Sequence, residues 1–435
     1  MPSRMHRWLE AVGLHRPALR AWAEYDLAIS GFNSVILTAV FPVYFAQVAA
    51  ADIPARSATE YFGFTTAFAL AIAAVLAPLI GVVADRRGWA LRLLAVHTVI
   101  GALAVLTLVG AGPGEWRLGL WAFAIANIAA TISFSLYGSL LPHLVSADEM
   151  DRLSTAGYAL GYLGSSILLG IILYLIQHPG TVGLPPGPWA ARVGFGLVAV
   201  WWLAFSVPLF ARVTSPPPSQ EGGASSVASF VSRLAENVRG LRQYPEAFLF
   251  LGAFLIYNDG IGTIIRMAGI YGAELGIPQS TLIGAILMVQ IVGIPCAFGF
   301  GALARWTGAK PAILFGLCVY GAISVQAYRM RTAGEFVVLA LLVGLVQGGT
   351  QALSRSLFAS MIPPERSGEF FGLFSVFEKF AGIFGPLVFS LVLHLTGSSR
   401  GAILAIVGFF VVGGSLLLGV NVARGTARIR PAATA

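Results

Sequence analysis

"GVVADRRGWALR" (residues 81–92) is a charged turn between two apolar runs, near 61–83 and 90–111. Each run is long enough to cross a bilayer as a helix, which needs about 20 residues. The same form returns as "GALARWTGAKPA" (residues 301–312). Gly81 and Gly301, Ala84 and Ala304, and Gly88 and Gly308 all lie 220 positions apart, while Arg305 replaces Asp85. A second pattern has the same separation. Asn127, Thr131 and Ser135 stand at i, i+4 and i+8, one face of a helix. Their counterparts are Gln347, Gln351 and Arg355, again one polar stripe. Two patterns at one separation predict two related halves in parallel orientation.

Composition sets the class. Of 435 residues, 57% are hydrophobic and 11% charged, against about 25% charged in a soluble chain. That excludes a soluble core with a polar skin and predicts a polytopic membrane protein with the lipid bilayer as partner. The net charge of +8 is the arginine excess of cytoplasmic loops, so no nucleic-acid partner is expected. Cys296 and Cys318 sit in apolar runs and read as small buried hydrophobes, not as a disulfide or metal site. The basic N-terminal stretch lacks a continuous apolar core, so no cleaved signal peptide is expected.

Twelve spans are predicted, near 25–49, 61–83, 90–111, 117–140, 153–176, 190–211, 246–270, 280–302, 311–330, 336–360, 370–394 and 400–422. They divide the chain into a cytoplasmic N-terminal segment (1–24), a six-helix bundle (25–211), a cytoplasmic linker (212–246), a second six-helix bundle (247–422) and a cytoplasmic tail (423–435). The linker is Pro/Ser/Gly-rich and then amphipathic, which predicts a short surface helix at its end. With both termini and the linker on one side, that side holds 18 Arg and Lys against 6 on the other, with 3 inside spans. The bias places both termini in the cytoplasm. Glycines as in "GYLGSSILLG" (161–170) predict close helix packing.

The loop 81–92 resembles the signature G-x-x-x-D-R-x-G-x-x-x-R of the major facilitator transporters, whose halves are parallel repeats. A narrower resemblance covers most of the chain. "EYDLAISGFNSVILTAVFPVYF" (24–45), "YNDGIGTI" (257–264), "QALSRSLFASMIPPERSGEFFGLFSVFEKFAGIFGPL" (351–387) and "TGSSRGAI" (396–403) are similar to the vacuole effluxers. The named activity of that family is export of amino acids from the vacuole. The resemblance implies an all-α membrane fold of twelve helices in two pseudo-symmetric bundles. It also implies that the first, fourth, seventh and tenth helices line a central cavity. In the signature loop it implies a gating role for Gly81, Asp85, Arg86, Gly88 and Arg92.

Those four helices carry polar groups: Asp26 and Asn33; Asn127; Tyr257, Asn258, Asp259 and Arg266; Gln347, Gln351 and Arg355. They are the expected substrate-binding residues. One charge at the bilayer centre costs roughly 2.5–3.5 kcal/mol, so these groups are expected to face protein or water. Asp259 and Arg266 are seven residues apart, sharing a face about 10.5 Å apart along the axis, too far for a simple direct pair. Gly260 and Gly262 weaken a helix, which predicts local opening after Asp259. The bland alternative is a structural ion pair, with Glu378 and Lys379 as partners. For Asp26 the alternative is a helix-start cap. Asp259 and Glu378 are the expected proton-coupling groups.

His97, His143 and His394 are scattered, so neither a metal nor another cofactor is expected, and no P-loop suggests ATP coupling. Nothing points to an enzyme. The expected function is a monomeric secondary transporter in the plasma (inner) membrane. It moves a small polar solute of amino-acid type by alternating access, coupled to protons. Phe32, Phe41, Tyr44 and Tyr257 on the same helices leave open efflux of amphipathic drugs or lipids, and a non-transporting receptor is the third alternative.

Overall fold

Lipid offers no partner to an unpaired backbone group, so an apolar chain can cross it only as helix or closed barrel. The computed structural model takes the first course. It describes residues 9–10, 14–145, 147–218, 232, 235–236, 238–363, 370, 373–374, 377–378 and 381–429, and among these there is no strand. The helices are α1 (Pro17–Ala49), α2 (Ala55–Arg87), α3 (Ala90–Thr107), α4 (Trp116–Leu144), α5 (Ala147–Gln177) and α6 (Trp189–Arg212). They continue with α7 (Pro245–Glu274), α8 (Gln279–Thr307), α9 (Ala309–Arg329), α10 (Ala333–Ala359), α11 (Phe384–Thr396) and α12 (Ser399–Gly419), and end with the short α13 (Val422–Ile429). Among the described residues, ten are long and apolar enough to cross a membrane. Gln279–Gly293 of α8 and Phe384–Thr396 are shorter apolar stretches. With these two, the predicted twelve are all present.

The chain forms two compact units: residues 1–58 with 68–227, and residues 59–67 with 228–435. In the first, α1 packs between α5 and α6. Trp22 stacks on Tyr137 at 4.4 Å, and Phe32 lies 5.3 Å from Trp202. Gly161 and Gly164 let α5 approach α1 so closely that an added Cβ on Gly164 would overlap Leu27, whereas Gly170 faces open space. In the second unit, α7 lies on α12, where a Cβ on Gly413 would come within 2.8 Å of Tyr257 Cβ. The same use of small residues joins membrane helices generally.

The 220-residue repeat has a physical origin. Gly88 (φ 63°) ends α2 and Gly308 (φ 90°) ends α8. Each donates its N–H to the alanine four residues back, Ala84 and Ala304. Only glycine adopts that left-handed backbone without strain.

Three features differ from expectation. α1 contains two π-helical segments, Asn33–Ala39 and Phe45–Ala49, flanking Pro42. Proline lacks the N–H that the α-helical ladder needs there. α7 runs unbroken through Gly260 and Gly262, so the predicted opening after Asp259 is absent. Those glycines serve contact instead. An added Cβ on Gly260 would lie 2.9 Å from Phe409, and one on Gly262 would lie 2.6 Å from Arg266 Nη1. The break falls in the eleventh predicted span, where Ala381, Gly382 and Ile383 form a turn before α11. Most of the predicted linker helix lies outside the described residues, as does Lys379.

Candidate functional site

The break before α11 leaves backbone N–H groups without helical partners, and Asp259 takes them. Its Oδ1 accepts from Gly382 N at 2.6 Å, and its two carboxylate oxygens accept from Gly385 N at 3.1 and 3.0 Å. Asp259 is 1% exposed. A buried carboxylate needs such donors, and the N-terminus of a helix is the place where they converge. Gly382 has φ +117°, which favours glycine, and a Cβ there would lie 2.6 Å from Arg266 Nη1. A Cβ on Gly385 would overlap Thr263 Oγ1 and lie 2.9 Å from Asp259 Oδ1. Thr263 is tied to its own helix through Asp259 O at 2.7 Å. Two glycines thus bring α11 onto the polar face of α7.

Arg266 flanks the same turn. Its Nε is buried with no hydrogen-bond partner. Asp259 and Arg266 act on each other electrostatically, yet among the described residues no direct ion pair joins them. The structure therefore holds, side by side, a carboxylate on backbone donors and an arginine without a bonded counter-ion among the described residues.

The other predicted residues of this unit have their own partners and burial. Tyr257 is fully buried and its hydroxyl meets Ser354 Oγ at 2.6 Å. Asn258, Gln347 and Gln351 are half-buried. Arg355 pairs with Glu378 at 3.0 Å, both half-exposed. Charges placed so openly contribute little to stability, about 0–1 kcal/mol.

The first unit carries a related arrangement. Asp26 and Asn33 stand 233 positions before Asp259 and Arg266. Asp26 is 5% exposed, accepts from Ser30 Oγ at 3.2 Å, and faces Gly157 and Gly161 of α5. It lies well inside α1, which starts at Pro17, so the helix-start alternative fails. Here α5 is continuous from Ala147 to Gln177, and Asn33 is exposed. The aspartate-on-glycine contact is present in both units, but among the described residues only the second adds a broken helix and an arginine. Asn127 is 2% exposed and its Nδ2 has no hydrogen-bond partner.

In the signature loop Gly81 is half-buried and Arg86 and Arg92 are exposed. The side chain of Asp85 lies outside what the structure describes. Gly88 faces the start of the linker, with its missing Cβ 3.0 Å from Pro216 O, and Ser215 Oγ accepts from Leu91 N at 3.2 Å.

Sequence reasoning missed Gly382, Gly385, Thr263 and Ser354. The signal for the first two was present in "GIFGP" (382–386), where two glycines and a proline interrupt an apolar run. It also missed a polar cluster in the second unit. There Glu274 accepts from Thr59 at 2.6 Å and from Ser399, and His394 meets Glu60 at 2.8 Å.

A family model for vacuole effluxers, "Vacuole effluxer Atg22 like", matches residues 15–429. The uncharacterized MFS-type transporter YxiO of Bacillus subtilis (strain 168) is 34% identical over 397 residues, covering 90% of this chain and 92% of that protein. Autophagy-related protein 22-1 of Penicillium rubens is 27% identical over 300 residues. That match covers 63% of this chain and 50% of the fungal protein, so the chain spans about half the length of such relatives. Among solved structures, a D-xylose–proton symporter superposes with TM-score 0.65 at 14% identity, over 94% of this chain and 98% of that one. A bacterial homologue of the human lysosomal transporter Spinster gives 0.64 at 13% identity, over all of both chains. At such identities the likeness concerns the fold, which is that of major facilitator transporters.

Proposed function

Because the chain belongs to the Atg22-like vacuole effluxer family, and is therefore a multi-pass membrane transporter of the major facilitator type rather than an enzyme, we propose that it moves a small zwitterionic solute of amino-acid type. Movement is by alternating access and is driven by protons. The observation that carries this reading is the pair of opposite charges on either side of one turn, Asp259 and Arg266 at the break before α11. A carboxylate and a guanidinium that do not neutralise each other in a direct pair suit a solute with both an ammonium and a carboxylate group. Holding two opposite charges inside a span without a direct pair is costly, and a zwitterionic ligand offsets that cost.

The amphipathic-efflux alternative draws less support. Its candidate rings are already used in packing: Phe41 stacks on Phe123 at 5.3 Å, Phe32 meets Trp202, and Tyr44 donates to Ala111 O at 2.7 Å. Purified protein should therefore show a raised unfolding transition with one or more amino acids, and not with amphipathic drugs or lysolipids, since a ligand of the folded state alone stabilises it. A response confined to the drugs or lysolipids would reverse the choice.

The two acidic groups best placed to carry the proton are Asp259 and Glu378. Asp259 accepts from backbone N–H groups and Glu378 pairs with Arg355. Protonation would release either one.

For placement, we propose an inner (plasma) membrane location as a monomer with both termini cytoplasmic, on the 18 to 6 charge bias. With Cys296 and Cys318 removed, a cysteine at Ser215 should label only from the cytoplasmic side and one at Thr181 only from outside. The opposite pattern would invert the orientation.

A further inference from the structure

We propose that the N–H groups of Gly382 and Gly385 together with the Arg266 guanidinium form a carboxylate site, and that Asp259 occupies it as an internal stand-in which the solute's own carboxylate displaces. This deepens the amino-acid reading above and rests on it for the identity of the solute.

Three observations converge on that site. The donors are real and aimed: Gly382 N at 2.6 Å and Gly385 N at about the same length as ordinary N–H···O bonds, both ending on one carboxylate. The cation is adjacent: the Arg266 guanidinium packs against Gly382, where an added Cβ would lie 2.6 Å from Nη1. Its Nε is buried and unpartnered, and a buried donor left without an acceptor is unfavourable, more so when charged. An incoming carboxylate can accept from both the backbone and the guanidinium fork at once, which the tethered Asp259 does not. The first unit acts as an internal comparison. It keeps the aspartate and the glycines, but with an intact α5 and Asn33 in place of arginine it offers, among the described residues, neither freed backbone N–H donors nor a cation for an anion.

Displacement explains why the solute must be a zwitterion. A simple carboxylate that evicts Asp259 leaves a second buried anion with no partner. A simple amine finds Asp259 already bound. A solute carrying both groups places its carboxylate on Gly382, Gly385 and Arg266, and gives the freed Asp259 an ammonium to hold. Charge is balanced before and after, and no proton needs to move.

The test is a change of ligand class. Sodium acetate is titrated against purified protein, with sodium chloride at equal ionic strength as the reference, and the unfolding transition is read. In Asp259→Ala the internal competitor is gone, so acetate should raise the transition. Wild type should need ~10-fold or more acetate for the same shift, because a tethered group competes at high effective concentration. The double variant Asp259→Ala/Arg266→Ala should lose the response. If Asp259→Ala does not fold, Asp259→Asn, which keeps one acceptor but no charge, is read in the same way. Equal acetate responses in wild type and variant, or none in either, would overturn the proposal. An acetate response in Asp259→Ala beside a wild type that binds only amphipaths would keep the site and sink the amino-acid reading. A wild type stabilised by amino acids beside an unresponsive Asp259→Ala and Asp259→Asn would do the reverse.

Discussion

Gly385→Val is expected to leave little folded protein after detergent extraction, whereas Gly252→Ala, on the same α7 that Gly385 abuts, should elute and melt as wild type does. An added Cβ on Gly385 overlaps Thr263 Oγ1 and lies 2.9 Å from Asp259 Oδ1, while one on Gly252 meets nothing within 4 Å. Valine forces α11 away from α7. Overpacking of this kind costs typically about 1–3 kcal/mol. The larger loss follows from it, since the carboxylate of Asp259 then has no N–H donors. Breaking a buried charge from its partners costs about 3–5 kcal/mol. Against a total stability of about 5–15 kcal/mol for a domain, the sum is most of what holds the fold. Size-exclusion profiles and unfolding transitions of the two variants check this. A Gly385→Val protein that melts within about 1 kcal/mol of wild type would mean that α11 does not dock on Asp259 as described.

The fold was legible because lipid leaves the chain few choices. Apolar runs of sufficient length became α1–α10 and α12 with ends shifted by a few residues, and the glycines of the two signature loops became helix ends with φ near +63° and +90°. The family resemblance in the sequence and the family-model match agree over nearly the whole chain. What could not be read was which glycines open a helix. Gly260 and Gly262 invite an opening on propensity alone, but Phe409, Phe410 and Arg266 fill the space their missing side chains leave. Gly382 and Gly385 lie in an equally apolar stretch, and there the opening occurs because a buried carboxylate on another helix takes the freed N–H groups. Propensity is local, and the deciding partner is more than 120 residues away in sequence. The candidate site was legible in part for the same reason. A charge inside a span announces itself through its cost, so Asp259 and Arg266 stood out. The absence of a direct pair was legible in their seven-residue spacing, whereas the backbone nest around Asp259 follows from packing. The π-helical segments of α1 had only Pro42 as a sign.

The second large effect concerns transport. Arg266→Ala should reduce uptake to the level of empty liposomes while the protein still extracts and elutes as a single species. Arg266 makes no hydrogen bond through Nε, so its removal takes little from the fold. Losing one charged partner of a buried, hydrogen-bonded contact to a ligand costs about 2–5 kcal/mol, which is roughly 30-fold to several-thousand-fold in affinity. Arg266→Lys should recover only part of it, since an ammonium is a point charge and cannot match the two oxygens of a carboxylate as a fork does. Asp259→Asn adds a further distinction. If Asp259 carries the coupling proton, this variant should still exchange solute across a liposome without a gradient but fail to accumulate it. If Asp259 only holds the ammonium, exchange should fail too.

The most direct measurement is uptake of a labelled amino-acid mixture into liposomes under an imposed proton gradient, with wild type, Arg266→Ala and protein-free vesicles side by side. Wild type should accumulate at least one component above the protein-free level, and Arg266→Ala should accumulate none. Accumulation by Arg266→Ala equal to that of wild type would show that the intramembrane charges are structural and that the solute is held elsewhere.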